Sequence, residues 1–112
     1  MTVKRDDAIL IDDMIMAAEA ITSHIQDMTA DEFFRSKVVQ DAVQYELAVL
    51  GEAANAMSNA FVADHPDIPW RAITGMRHRV IHGYGSVDLD IVWDTATHNV
   101  VELLEKLRKI GF

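Results

Sequence analysis

Hydrophobic residues recur every three or four positions along most of the chain, the spacing that places side chains on one face of an α-helix. The first such run predicts a helix over about residues 5–28, and the next predicts a longer helix over about 37–61. The run from Trp70 to Ile81 predicts a third helix, and the last run predicts a fourth over about 88–109. No stretch alternates apolar and polar residues for long enough to predict a sheet.

Short motifs indicate where these helices begin and end. Thr29 and Glu32 have the spacing of a capping box, which predicts a further short helix between the first two long ones. Pro69 suits the first turn of the third helix, and Gly83 suits the position just after its last turn. The pattern therefore predicts one all-α domain over residues 1–112, an up-and-down bundle of four main helices plus a short one.

Composition narrows the class of protein. The 112 residues are 50% hydrophobic and carry a net charge of −8, which is typical of a folded domain and argues against a general nucleic-acid coat. The absence of cysteine excludes disulfides and thiolate metal sites. No apolar run has membrane-spanning length, and the first residues lack the apolar core of a signal peptide, so we expect a cytoplasmic protein. The generous apolar content for so small a bundle favours a homodimer.

The segment from Arg71 to Tyr84 differs from the rest of the chain in its charge. These fourteen residues contain three of the ten Lys and Arg residues, two of the five His residues and no carboxylate. Their formal charge of +3 leaves −11 on the other ninety-eight residues. Arg71 and Arg79 fit either contacts to RNA phosphates or a solvated helix face. A basic segment in so acidic a protein indicates a local binding or catalytic site.

Arg77 and His82 form a minimal set for cleaving an RNA phosphodiester without a metal. The planar cation of Arg77 suits phosphate oxygens, and a histidine with its ordinary pKa near 6.5 can transfer a proton at neutral pH. RNA supplies its own nucleophile, the 2′-hydroxyl. However, a spacing of five residues separates the two by about 140° around a helix. They converge only if the helix ends near His82 or if a second subunit completes the cleft.

A metal site is an alternative use of the same segment. His78 and His82 are four residues apart, the spacing of two imidazole ligands on one helix face. Glu46 or Glu52 would have to supply a carboxylate from another helix, and the neighbouring arginines would oppose a bound cation. This alternative predicts a metal-dependent hydrolase.

The segment and its flanks resemble a known family. The run from Trp70 to Tyr84, the Leu50–Ala54 stretch with its Gly-Glu-Ala-Ala sequence, and the His65–Pro69 loop resemble, in order and spacing, the HepT-like family of HEPN-domain ribonuclease toxins. The resemblance covers nearly the whole chain and is strongest over residues 38–93. It implies a HEPN-type helical bundle.

The family signature R-x-x-x-x-H-x-Y falls on Arg77, His82 and Tyr84. The resemblance implies a homodimer whose two signatures line a shared cleft, with Arg77 and His82 as the pair for metal-independent RNA cleavage. His78 takes a position that is usually polar in the family, and we predict it to be an auxiliary active-site residue. Gly85 departs from the family, in which an aromatic residue is common at this place.

The resemblance also implies a protein partner. Family members pair with a small MNT-type nucleotidyltransferase antitoxin, which silences the toxin by adding AMP to the tyrosine of the signature, here Tyr84. A nucleotide there would place phosphate charge beside Arg77 and block the cleft. The chain is thus expected to be the toxin of a type VII toxin–antitoxin pair, with RNA as its substrate and with no cofactor or metal. The alternative is a catalytically silent partner subunit of a nucleotidyltransferase, or one that binds nucleotide.

Overall fold

Helices account for all the regular structure that the described residues form. The computed structural model describes the backbone of residues 3–82 and 88–110, and the side chains of residues 6–76 and 88–110. The helices are α1 (Val3–Ile25), α2 (Ala30–Arg35), α3 (Lys37–Ala56), α4 (Asn59–Asp64), α5 (Trp70–His82), α6 (Leu89–Asp94) and α7 (Val100–Arg108), and a π-helical segment (Thr95–Asn99) joins α6 to α7. The prediction of an all-α chain is therefore confirmed for these residues.

Helix α3 lies at the centre of the bundle. It packs against α1 and against α5, and α1 also packs against α7. The largest fully buried side chains come from five of these elements: Met14, Ile21, Phe33, Val43, Val92 and Leu107. Because α5 packs chiefly against α3, its position depends on that one contact and on the loop that leads into it.

The second long helix is shorter than the sequence predicts. The spacing predicts a continuous helix over about 37–61, but α3 ends at Ala56 and α4 begins at Asn59. The break occurs because Ser58 has an extended backbone and its Oγ accepts a hydrogen bond from the backbone N–H of Phe61 at 3.2 Å, as an N-cap does. The bundle therefore contains a second short helix that the spacing of apolar residues did not predict.

A buried carboxylate holds this break in place. Asp7 of α1 is only 3% exposed. Its Oδ1 accepts a hydrogen bond from the backbone N–H of Ser58 at 3.0 Å, and its Oδ2 accepts one from the Ser58 hydroxyl at 2.7 Å. The two oxygens thus satisfy both donors of the residue that caps α4, and they join the start of α1 to the start of α4.

Asp7→Ala is expected to lower the free energy of unfolding by about 2 kcal/mol, because two hydrogen bonds to a carboxylate disappear and the part-buried N–H of Ser58 loses its acceptor. Urea unfolding followed by circular dichroism measures this change. Asp12→Ala is the matched control, since Asp12 is exposed on the same helix, and it is expected to stay within about 0.5 kcal/mol of wild type. Equal stabilities of the two variants would contradict the role given to Asp7.

The predicted capping box and the predicted last helix are both present in the structure. The capping box is confirmed: Thr29 Oγ1 accepts from the Glu32 N–H at 3.2 Å, and Glu32 Oε1 accepts from the Thr29 N–H at 2.8 Å. The last long helix is present but contains the π-helical segment, in which the Thr97 hydroxyl donates to the Trp93 carbonyl at 2.8 Å. The predicted stop at Gly83 lies outside the described residues. Of the described helices, none combines the length and the apolar character that crossing a membrane requires.

Candidate active site

Helix α5 carries most of the predicted site. It begins at Trp70 and continues to His82, so it contains the backbone of every predicted site residue except Tyr84. Tyr84 lies outside the described residues, and so do the side chains from 77 to 82. The structure therefore gives the helical register of these residues: Arg71, Arg77, His78, Arg79 and His82.

One row of positions along α5 contains three of the predicted site residues, and it is exposed where its side chains are described. Positions 71, 75, 78 and 82 are spaced i, i+4, i+7 and i+11, and they lie within about 60° of one another around the helix. The two members whose side-chain surroundings are described, Arg71 and Gly75, are both exposed. The helix thus brings the positions of His78 and His82 into line with an exposed cation.

Position 77 falls in a different row. It lies seven residues after Trp70 and four after Ile73, and each of these two residues is 9% exposed. The helical backbone extends through position 82, so Arg77 and His82 are about 140° apart, as their spacing predicts. A single α5 does not place Arg77 and His82 on one face.

His78 and His82, the two histidines of the metal alternative, lie in one row of α5. Within the described ranges, no group of three or more His, Asp or Glu residues is close enough to hold a metal ion. Of the two carboxylates considered, Glu46 is half-buried and Glu52 is exposed on α3. Because the imidazoles of His78 and His82 lie outside the described side chains, this alternative stays a prediction.

The start of α5 is anchored by contacts that the sequence did not predict. The indole N–H of Trp70 donates to the backbone carbonyl of His65 at 3.0 Å. His65 Nδ1 in turn donates to the carbonyl of Phe61 at 3.0 Å, since a carbonyl can only accept. The imidazole also stacks on the Phe61 ring, with centroids 4.1 Å apart. Only the Pro-rich loop sequence before Trp70 hinted at an ordered connection here.

An apolar groove of about 230 Å³ lies on another face of α5. It separates α5 from the π-helical segment and α7, and its walls are Leu47, Leu50, Pro69, Ala72, Ile73, Met76, Thr95, Asn99, Val100 and Leu103. None of these lining residues is charged, so the groove offers no counter-charge to a phosphate. The exposed row that contains Arg71 is therefore the better candidate for contact with a nucleic acid.

Comparison with known proteins identifies the family. The model of the family described as "Ribonuclease HepT-like" matches residues 14–110. A protein of Thermococcus cleftensis named "Probable ribonuclease HepT" is 35% identical over 109 residues, which cover 95% of this chain and 99% of that protein. Two Methanocaldococcus jannaschii proteins are each named "Putative RNase". One is 33% identical over 107 residues, which cover 96% of this chain and 92% of that protein. The other is 30% identical over 107 residues, which cover 96% of this chain and 88% of that protein. No solved structure gives a significant match. The chain belongs to the HepT-like ribonuclease family.

Proposed function

We propose that this protein is a ribonuclease toxin that cleaves RNA without a metal ion, with Arg77 and His82 as its catalytic residues. Membership of the HepT-like family over residues 14–110 is the observation that carries this proposal. The basic, carboxylate-free sequence of the segment and the exposed row on α5 support it. The test is RNA cleavage by the purified protein in the presence of a chelator, compared with His82→Ala.

The chemistry requires only a proton carrier and a cation. The 2′-oxygen of the RNA attacks the neighbouring phosphorus, the bond from phosphorus to the 5′-oxygen breaks, and a 2′,3′-cyclic phosphate forms. One proton leaves the 2′-hydroxyl and one joins the departing 5′-oxygen. The imidazole of His82 would transfer such a proton, and the guanidinium of Arg77 would stabilise the charge that gathers on the phosphate oxygens. His78 would assist, and Arg71 and Arg79 would bind flanking phosphates.

The active form would be a homodimer with a shared cleft. Because α5 separates Arg77 from His82 by about 140°, a second copy offers a way to bring one of each to the same phosphate. Large apolar side chains on the surface support self-association: Val38 is 81% exposed, Tyr45 67% and Met16 61%. Such side chains are candidates for burial between two protomers.

Gly75→Ala is expected to stabilise the fold and to slow RNA cleavage. An added Cβ would meet no described heavy atom within 4 Å, and alanine is about 1 kcal/mol more favourable than glycine inside a helix. The same methyl group would stand in the exposed row, where the proposal places the RNA, so kcat/KM should fall by about tenfold for a loss of some 1.4 kcal/mol.

Urea unfolding and initial cleavage rates measure the two effects of Gly75→Ala. Ser23→Ala, at an exposed position of α1, is the control and should leave cleavage unchanged. A more stable Gly75→Ala protein with full activity would show that RNA does not lie along this row.

Tyr84 would be the point of control by an MNT-type nucleotidyltransferase antitoxin, which would make the two proteins a type VII toxin–antitoxin pair. Transfer of AMP to its hydroxyl would add a phosphate beside Arg77 and compete with the RNA phosphate. Intact mass after co-expression with the neighbouring gene's product should show one or more added AMP units, and Tyr84→Phe should show none. An AMP shift that persists in Tyr84→Phe would place the modification elsewhere.

Two other functions predict different results. A silent partner subunit of a nucleotidyltransferase would form a stable complex with it but would not arrest growth when expressed alone. A hydrolase that uses a metal on His78 and His82 is favoured by their common row on α5, and it would copurify with metal and lose activity on chelation. Growth curves and elemental analysis separate both from the proposed toxin.

A further inference from the structure

We propose that Trp70 is a positioning residue for RNA cleavage: its indole N–H fixes the start of α5 and thereby the place of Arg77 and His82. This inference rests on the proposed function, because it concerns the same site. It does not require Trp70 to touch RNA. Trp70 is 9% exposed and is the first residue of the helix.

The indole belongs to a continuous chain of contacts. Its N–H donates to the His65 carbonyl at 3.0 Å, and the His65 ring donates from Nδ1 to the Phe61 carbonyl at 3.0 Å. The three rings also pack together, with Phe61 stacked on His65 at 4.1 Å and edge-on to Trp70 at 6.1 Å. The last turn of α4 and the first turn of α5 are thus held as one unit.

This chain of contacts continues in both directions from the three rings. Towards α1, the Phe61 N–H donates to Ser58 Oγ at 3.2 Å, and the Ser58 hydroxyl donates to the buried Asp7 at 2.7 Å. Towards the site, the Thr74 hydroxyl donates to the Trp70 carbonyl at 2.9 Å, three residues before position 77. Asp7 of α1 is therefore linked through four residues to the second turn of the candidate catalytic helix.

The loop between α4 and α5 is also held by contacts with α7 and with the core. Lys106 of α7 donates from Nζ to the Asp67 carbonyl at 2.8 Å. Ile68 is 3% exposed, and its carbonyl accepts from the Trp70 backbone N–H at 2.9 Å. The loop is thus joined to α7 and to the core, so the anchor of α5 does not depend on α4 alone.

The anchor matters because a small tilt at the start of α5 grows into a larger displacement further along the helix. Its main packing partner is α3, and the apolar groove lies between it and α7. Position 77 is seven residues from Trp70, or about 10 Å along the axis, so a tilt of about 5° at the anchor displaces it by about 1 Å. A misplacement of about 1 Å can cost roughly a hundredfold in rate. A small shift at the start of α5 would therefore lower the rate of RNA cleavage.

Trp70→Phe tests this role, because it removes the indole N–H and keeps an aromatic ring. Trp93→Phe is the matched control: Trp93 lies in α6 and packs against Phe33, with centroids 5.1 Å apart. We expect Trp70→Phe to lower kcat about tenfold with KM for RNA within about twofold of wild type, because the loss concerns the reacting geometry. Trp93→Phe should keep both constants. Hydrogen exchange should accelerate in α5 of Trp70→Phe and stay unchanged in α1.

A second variant serves if Trp70→Phe does not fold. His65→Ala keeps the indole and removes the stack and the Nδ1–H bond to Phe61. We expect it to lower kcat by less than Trp70→Phe does, again with KM nearly unchanged. Wild-type kcat in every variant that folds, or an equal fall in Trp93→Phe, would overturn the inference. If the wild-type protein cleaves no RNA, the proposed function fails, and hydrogen exchange still decides the inference: wild-type exchange in α5 of Trp70→Phe would overturn it.

Discussion

His82→Ala is expected to lower the rate of RNA cleavage by at least about a hundredfold, the smallest contribution that a positioned general acid or base usually makes. Arg77→Ala should cause a loss of similar size, because it removes a cation that stabilises the transition state more than the bound substrate. Both losses should appear in kcat. Cleavage of a short fluorescent RNA under single-turnover conditions measures them directly.

Two control variants make this test specific. His98→Ala removes an exposed histidine of the π-helical segment, whose Nδ1 lies 2.9 Å from the Thr97 hydroxyl, and it should cleave RNA at the wild-type rate. Arg71→Ala removes an exposed cation of the same helix, and it should raise KM with little change of kcat because it removes a phosphate contact. Full activity of His82→Ala would exclude the proposed mechanism.

A mixture of two inactive variants is expected to recover activity. If each of the two catalytic pairs in the shared cleft takes Arg77 from one protomer and His82 from the other, a dimer of one Arg77→Ala chain and one His82→Ala chain contains one intact pair. Random pairing makes half of the dimers mixed, so about a quarter of wild-type activity should return. This recovery follows from the 140° that separates the two positions on α5.

Differently tagged chains allow the mixed dimer to be purified after co-expression, and its cleavage rate is then compared with that of each parent. His82→Ala paired with itself is the matched control and should stay inactive. A purified mixed dimer with no activity would show that the catalytic pair belongs to one protomer. The helix geometry would then require a bend or an end of α5 before His82.

The sequence predicted the long helices well because each one buries a regular apolar face. It did not predict the break at Ser58, since Leu50, Ala54, Met57 and Phe61 continue the apolar spacing across it and are all buried. The break depends on Asp7, which lies fifty-one residues earlier in the chain. A pattern of neighbouring residues cannot reveal a contact between residues so far apart in the sequence.

The candidate site was predictable in part. The spacing of Arg77 and His82 predicted their separation around α5, and the described backbone has that register. The roles of the two residues came from a resemblance, because charge alone does not distinguish an active site from a basic surface. The hydrogen bond from the Trp70 indole was not predictable, since its partner is a backbone carbonyl, which every residue possesses and no sequence motif marks.

The chemistry of the cleaved ends tests the central claim most directly. The purified protein is incubated with a short RNA in excess EDTA, and the products are identified by mass spectrometry. We predict that cleavage persists, that the upstream fragment ends in a 2′,3′-cyclic phosphate, and that one 2′-deoxy nucleotide at the cleaved position blocks the reaction. Cleavage that requires an added divalent metal, or that proceeds at the 2′-deoxy position, would contradict a metal-independent attack by the 2′-hydroxyl.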